Sequence, residues 1–192
     1  MDFTSDELDP RGRFEVPLKR WDSEIAKSLD APGLLRYRSR LLGSDLSITN
    51  FGGGNTSAKI ATADPLTGET VEVLWVKGSG GDIGSIELDG FATLYLDKLH
   101  QMERRFLRSA DEDEMAGLLP LCVFGGNPRA PSIDTPLHAL LPFAHVDHMH
   151  PDSITALACS DRGKALVMEL FGDTVGWLDW RRPGFQLALQ LR

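Results

Sequence analysis

The spacing of apolar residues along the chain predicts a mixture of short strands and helices. Apolar and polar residues alternate in residues 46–50 and 58–61, and an apolar-rich stretch runs from Thr70 to Lys77, as is typical of strands. Apolar residues that recur every three or four positions predict helices, in residues 22–29, 34–42, 89–106, 109–119, 134–141, 151–158 and 165–171. We expect one domain over residues 21–192, preceded by a flexible leader, residues 1–20.

Two glycine-rich segments interrupt this pattern, and each lies beside a predicted strand. The first, residues 51–57, carries three consecutive glycines followed by Asn, Thr and Ser, and the second, residues 78–82, follows a strand directly. Backbone N–H groups in such loops can form concave anion sites, although the first loop taken alone is better explained as a plain hairpin turn. Neither loop has the form of a P-loop or of a dinucleotide-binding fingerprint. Together they suggest a shared phosphate or sugar pocket.

Four of the five histidines lie within thirteen residues, and two aspartates lie in the same stretch. Neutral imidazole is a common ligand of zinc and related metals, and a carboxylate beside a metal-bound carbonyl is a natural proton acceptor. The stretch therefore has the ingredients of a metal site with a general base. The residues are His138, His145, His148, His150, Asp134 and Asp147.

The position of Pro151 predicts how these histidines are arranged. Proline suits the first turn of a helix and not its interior, so we expect a strand over residues 143–150 and a helix from Pro151. Side chains two apart on a strand share a face, which makes His148 and His150 the candidate ligand pair. His145 then points to the other side of the sheet, as a packing or supporting residue. A His-x-His pair also occurs by chance, so the structural alternative stays open.

Composition and charge exclude several classes of partner. The chain has 192 residues and a net charge of −8, which argues against nucleic acid or an anionic membrane surface as a partner. Cys122 and Cys159 form no paired motif, so a disulfide framework is not expected. The acidic N-terminus is not a signal peptide and no apolar run is long enough to span a membrane. We therefore expect a cytoplasmic protein.

Four segments, in this order, resemble the class II aldolase/adducin family: residues 50–59 (NFGGGNTSAK), 74–82 (LWVKGSGGD), 131–138 (PSIDTPLH) and 145–153 (HVDHMHPDS). The amino-acid sequence over roughly residues 34–185 is most similar to the N-terminal part of bifunctional rhamnulose-1-phosphate aldolase/short-chain dehydrogenases. The resemblance implies an α/β fold, with a central, mostly antiparallel β-sheet flanked by helices, and a homotetramer. It also implies zinc-dependent retro-aldol cleavage of a ketose 1-phosphate to dihydroxyacetone phosphate and an aldehyde.

The resemblance also implies roles for individual residues. His148 and His150 match the family's zinc ligands. Asp134 stands where the family usually has a glutamate that acts as general acid and base, and it is one methylene shorter. The residues that match the substrate- and phosphate-binding positions are Gly54, Asn55, Ser79, Gly80 and Ser132.

One family feature has no counterpart in the chain. The third zinc histidine of the family lies in a later His-Gly segment, and here the remaining histidine, His100, lies far upstream. Either Asp134 is a third ligand or the histidine belongs to sequence beyond this chain, and we expect the chain to be a fragment of a longer protein. Two alternatives remain: a sugar-phosphate epimerase or dehydratase on the same scaffold, and a non-catalytic scaffold similar to the adducin head.

Overall fold

The computed structural model describes residues 20–192. The predicted flexible leader lies outside the described residues except for Arg20, and the predicted domain boundary at residue 21 stays a prediction. Among the described residues, none of the helices has the length and apolar character needed to cross a membrane.

A four-stranded antiparallel sheet forms the centre of the fold. Its strands are β1 (Asn55–Ala63), β2 (Thr70–Lys77), β3 (Phe91–Tyr95) and β4 (His145–His148), arranged in the order β3-β2-β1-β4. The predicted α/β architecture, a mostly antiparallel sheet flanked by helices, is confirmed. β4 is the edge strand beside β1, and this pairing places His148 opposite Asn55.

Eight α-helices and four 3₁₀ turns cover most of the remaining described residues. The helices are α1 (Ser23–Ser28), α2 (Ala31–Gly43), α3 (Leu96–Ser109), α4 (Glu112–Leu118), α5 (Thr135–Leu140), α6 (Asp152–Ala158), α7 (Gly163–Phe171) and α8 (Phe185–Leu191). The 3₁₀ turns are Ile83–Ser85, Leu88–Gly90, Leu119–Cys122 and Gly172–Thr174.

The alternation of side chains along the strands divides the apolar residues between the two faces of the sheet. Leu74 and Val76 of β2 face α3, α5 and α8, where they join the larger core cluster. Ala58 and Phe91 pack with Leu35 of α2 on the opposite face. Because residues paired across antiparallel strands lie on the same face, Asn55 and His148 project toward α5.

Three predictions about strands and helices differ from the structure. Residues 46–50 form turns and no strand, because Asp45 accepts hydrogen bonds from the backbone N–H groups of Ser47, Ile48 and Thr49. The helix predicted from residue 89 begins only at Leu96, because Phe91–Tyr95 pairs with β2 as β3. The histidine strand is also shorter than predicted, since β4 ends at His148.

Candidate active site

The imidazoles of His148 and His150 converge where β4 ends. Their Nε2 atoms lie 3.0 Å apart, which agrees with the prediction that the two side chains share a side of the chain. Gly54 on the neighbouring loop has φ +75°, and a Cβ built there would lie 2.4 Å from the backbone oxygen of His148. The glycine-rich loop can therefore approach β4 this closely only because residue 54 has no side chain.

The histidine pair fits half of a metal site. Two imidazole nitrogens bound to one zinc at about 2.0–2.1 Å in tetrahedral geometry would lie roughly 3.3–3.4 Å apart, close to the observed 3.0 Å. Burial lowers the pKa of His148, which favours the neutral, ligating form. Within residues 20–192, however, no three His, Cys, Asp or Glu side chains come together as a metal site. The structure therefore supplies two donors and no complete ligand set.

Asp134 lies on the other side of the His148 ring. Its Oδ2 atom is 3.9 Å from Nδ1 of His148, whereas the nitrogen that faces His150 is Nε2. The carboxylate is held by its neighbours, since the Ser132 hydroxyl donates to Asp134 Oδ2 at 3.3 Å and accepts from the Asp134 backbone N–H at 3.2 Å. Asn55 Nδ2 donates to the same hydroxyl at 3.4 Å. Three predicted site residues thus meet in one buried hydrogen-bonded group beside the histidines.

The second glycine-rich loop contributes to a small pocket next to this group. Gly80 and Gly81 have φ values of +73° and +77°, and both line a cavity of about 220 Å³ together with Lys77, Asp82 and Arg129. Ser79 is not among the lining residues; its backbone N–H donates to Ala130 O at 2.9 Å. Gly80 therefore lines the pocket, and the Ser79 backbone anchors the loop to Ala130.

Lys77 is a site residue that the sequence analysis missed. It ends β2, is only 4% exposed and lines the pocket. Burial lowers the pKa of its ammonium group, and the carboxylates of Asp82 and Asp134 oppose that shift. A buried cation that lines a pocket beside a glycine-rich loop is suited to hold an anionic group. The sequence did carry a signal for this residue: Lys77 interrupts an apolar strand and stands directly before Gly78.

Arg129 was also missed. Its Nε donates to the backbone oxygen of Asp89 at 2.9 Å. Its aliphatic stem crosses Gly78, where a Cβ would lie 2.3 Å from Arg129 Cγ. Residue 78 must be glycine for the arginine to reach the pocket.

The remaining histidines lie outside the pair. His138 is fully buried, and its Nδ1 lies 2.8 Å from Ser57 Oγ. Burial lowers the pKa of His138 to about 3, with a further contribution from His148, so its ring is neutral. His145 pairs with Ala58 on the opposite face of the sheet, as predicted, and is exposed. Asp147 also lies there, 3.1 Å from the Arg38 guanidinium.

Comparisons with known proteins identify the family and the fold of the chain. The family model of the Class II Aldolase and Adducin N-terminal domain matches residues 35–191, and class II aldolases generally depend on a divalent metal. A solved structure, the N-terminal class II aldolase domain of a conserved protein from Thermoplasma acidophilum, superposes with a TM-score of 0.79 at 31% identity. It covers 92% of this chain and 79% of that chain.

A relative from Bacillus subtilis, the uncharacterized oxidoreductase YuxG, is 42% identical over 170 residues. The match takes in 88% of this chain and only 24% of the relative, so the chain spans about a quarter of that protein's length. The family match covers most of the chain and includes every predicted site residue. The chain therefore belongs to the class II aldolase/adducin N-terminal domain family.

Proposed function

We propose that this domain is a metal-dependent lyase that cleaves a ketose 1-phosphate, such as rhamnulose 1-phosphate, to dihydroxyacetone phosphate and an aldehyde. The observation that carries the proposal is the convergence of His148 and His150 beside the Asp134 carboxylate and the buried ammonium of Lys77. These groups offer a metal half-site, a proton acceptor and an anion-binding cation within one small region.

Metal binding, proton transfer and substrate contact are assigned to different residues of the chain. His148 and His150 would hold a divalent metal, which supplies Lewis-acid stabilisation of the enediolate when bound. Asp134 accepts the proton of the substrate hydroxyl next to the bond that breaks, and it returns a proton to the dihydroxyacetone phosphate carbon. Gly54 and Asn55 line the substrate from the first loop.

The phosphate end of the substrate is assigned to the second loop. A cavity of about 220 Å³ is smaller than a pocket for a drug-sized ligand and suits a phosphate head group. Gly80 and Lys77 line it directly, and Ser79 keeps the loop in place through Ala130. Ser132 was assigned to phosphate by resemblance, and that role stays a prediction.

The test is a coupled assay for dihydroxyacetone phosphate. The zinc-loaded chain is incubated with rhamnulose 1-phosphate, alongside Asp134→Asn and the control Asp147→Asn, whose carboxylate lies on the opposite face of the sheet. We expect product from the wild type and the control, and a loss of at least 100-fold for Asp134→Asn. A wild type that holds zinc and releases no dihydroxyacetone phosphate would refute the aldolase proposal.

The alternatives give different products in the same experiment. An epimerase or a dehydratase would convert a sugar phosphate without releasing dihydroxyacetone phosphate, and chromatography of the reaction mixture detects that outcome. A non-catalytic scaffold would bind neither metal nor substrate. The name of the Bacillus relative refers to oxidoreductase activity, but this chain matches 24% of that protein and shows no nucleotide-binding fingerprint, so we assign it no redox step.

A homo-oligomer, a tetramer according to the family resemblance, is part of the same proposal. Large apolar side chains on α6, α7 and the segment that follows are exposed, among them Ile154, Met168, Leu170, Phe171, Val175, Leu178 and Trp180. Apolar surface of this extent is typical of a protein-contact site, and we assign it to a second copy of the chain. Light scattering after size-exclusion chromatography tests the assignment, because Trp180→Ser should shift the chain toward the monomer. The cytoplasm stays the predicted location.

A further inference from the structure

The two nitrogens of His148 have different surroundings. Nε2 faces the Nε2 atom of His150 at 3.0 Å. Nδ1 is buried and has no hydrogen-bond partner in the described part of the chain. The acidic oxygen facing it is Asp134 Oδ2, at 3.9 Å, about 1 Å beyond hydrogen-bond length. The surroundings of His148 therefore bear on which of its nitrogens carries the proton.

Only one tautomer of His148 leaves Nε2 available to a metal. With the proton on Nε2, the ring donates to His150, its metal-facing lone pair is lost, and the Nδ1 lone pair is buried against a carboxylate. With the proton on Nδ1, the N–H group points toward the carboxylate and Nε2 is free. The partner of the outer nitrogen commonly decides the tautomer of a ligating histidine.

Asp134 is built into a position where it can be this partner. It immediately precedes α5, all six of whose residues are buried. The Ser132 hydroxyl donates a hydrogen bond to its Oδ2 atom. Ser132 is itself held by Asn55, which is 5% exposed and also donates to the backbone oxygen of Lys77 at 3.5 Å. This chain of contacts holds the backbone and the Oδ2 atom of Asp134 on the Nδ1 side of the His148 ring.

We propose that Asp134 is a positioning residue for His148: its carboxylate accepts the Nδ1–H proton, sets the tautomer and turns Nε2 toward His150, while Ser132 holds the carboxylate in place. The inference deepens the proposed function, because it rests on His148 being a metal ligand. It places Asp134 behind the ligand and not in the ligand set, and it gives the Ser132 hydroxyl a role in the protein that competes with phosphate binding.

Metal affinity tests the proposal without any measurement of catalysis. Zinc and cobalt binding are measured by competition with a chromophoric chelator for the wild type, Asp134→Asn, Asp134→Ala and Ser132→Ala. Loss of an outer partner of a ligating histidine costs about 10–100-fold in metal affinity, and we expect that loss for Asp134→Ala. Asp134→Asn, which keeps an acceptor, and Ser132→Ala should lose less. Asp147→Asn is the matched control and should bind as the wild type does.

The tautomer is a second readout, and it is one that a purely structural role would not change. Nitrogen-15 NMR of the metal-free protein should show His148 protonated on Nδ1 in the wild type and shifted toward Nε2 in Asp134→Ala. Circular dichroism confirms that each variant is folded. Unchanged metal affinity in a folded Asp134→Ala, or a wild-type His148 protonated on Nε2, would overturn the proposal.

The outcomes also separate this inference from the aldolase proposal. If Asp134→Ala binds metal normally but releases no dihydroxyacetone phosphate, the positioning role is wrong and the base role stands. If metal affinity falls as expected while the wild type itself is inactive, the positioning role stands and the aldolase proposal fails.

Discussion

Replacing Gly54 with alanine should be far more damaging than the same change at Gly52, two residues earlier in the same loop. Both glycines have φ +75°, so alanine at either position pays the left-handed backbone cost of about 1–2 kcal/mol. At Gly52 the new Cβ meets nothing within 4 Å, whereas at Gly54 it would lie 2.4 Å from the backbone oxygen of His148. Forced backbone shifts of this kind cost about 1–3 kcal/mol more.

We therefore expect Gly54→Ala to lower the free energy of unfolding by about 2–5 kcal/mol and Gly52→Ala by about 1–2 kcal/mol. Urea denaturation followed by circular dichroism measures both values, and the thermal midpoints should differ by several degrees, since about 1 kcal/mol corresponds to 2–4 °C at this chain length. Gly54→Ala should also weaken zinc binding, because it displaces β4 at His148. Equal destabilisation of the two variants would refute the close approach of the loop to β4.

Three further predictions concern single side chains. His148→Ala should remove bound zinc, measured by plasma mass spectrometry, whereas His145→Ala, on the opposite face of the sheet, should retain it. The pKa of buried His138 is about 3 in the folded state and near 6.5 when unfolded. Its contribution to stability is therefore fully present above pH 6.5 and is lost as the pH falls toward 3, with a slope of up to about 1.4 kcal/mol per pH unit. His138→Gln should remove that part of the pH dependence in denaturation curves, and an unchanged slope would contradict the burial. Lys77→Met should weaken, at least tenfold, the inhibition by inorganic phosphate of dihydroxyacetone phosphate release. The exposed control Lys164→Met should be inhibited as the wild type is. If both variants are inhibited equally, the anion binds elsewhere.

Predictions based on local pattern succeeded where one element decides the outcome. The face shared by His148 and His150 follows from the two-residue repeat of an extended chain, and the helix after them follows from Pro151, which precedes α6 directly. The helix predicted over residues 109–119 is present as α4, and Asp111 caps it through the backbone N–H groups of Asp113 and Glu114.

Local pattern failed where a strand is defined by its partner. Residues 91–95 look like the first turn of a long helix, because apolar residues continue at helical spacing into α3. The five residues that pair with them lie on β2, and no property of the segment alone reveals this pairing. The strand predicted at residues 46–50 is absent for the opposite reason. The alternation of apolar and polar residues is present, but the Asp45 carboxylate and carbonyl accept hydrogen bonds from the backbone N–H groups that a strand would need.

The amino-acid order alone determined the family motifs, the glycine-rich loops, the histidine pair and the mixed character of the fold, because each depends on neighbours within a few residues. Tertiary structure alone decided that Asp134 lies beside Nδ1 of His148, that the Ser132 hydroxyl, itself held by Asn55, hydrogen-bonds to Asp134, and that Lys77 is buried in the lining of the pocket. These contacts join β1, β2, β4 and α5, and the distances between such distant segments are set by how the sheet and helices pack. The same physical reason explains why the His148 and His150 pair could be predicted from spacing while the Asp134 and Ser132 group beside it could not.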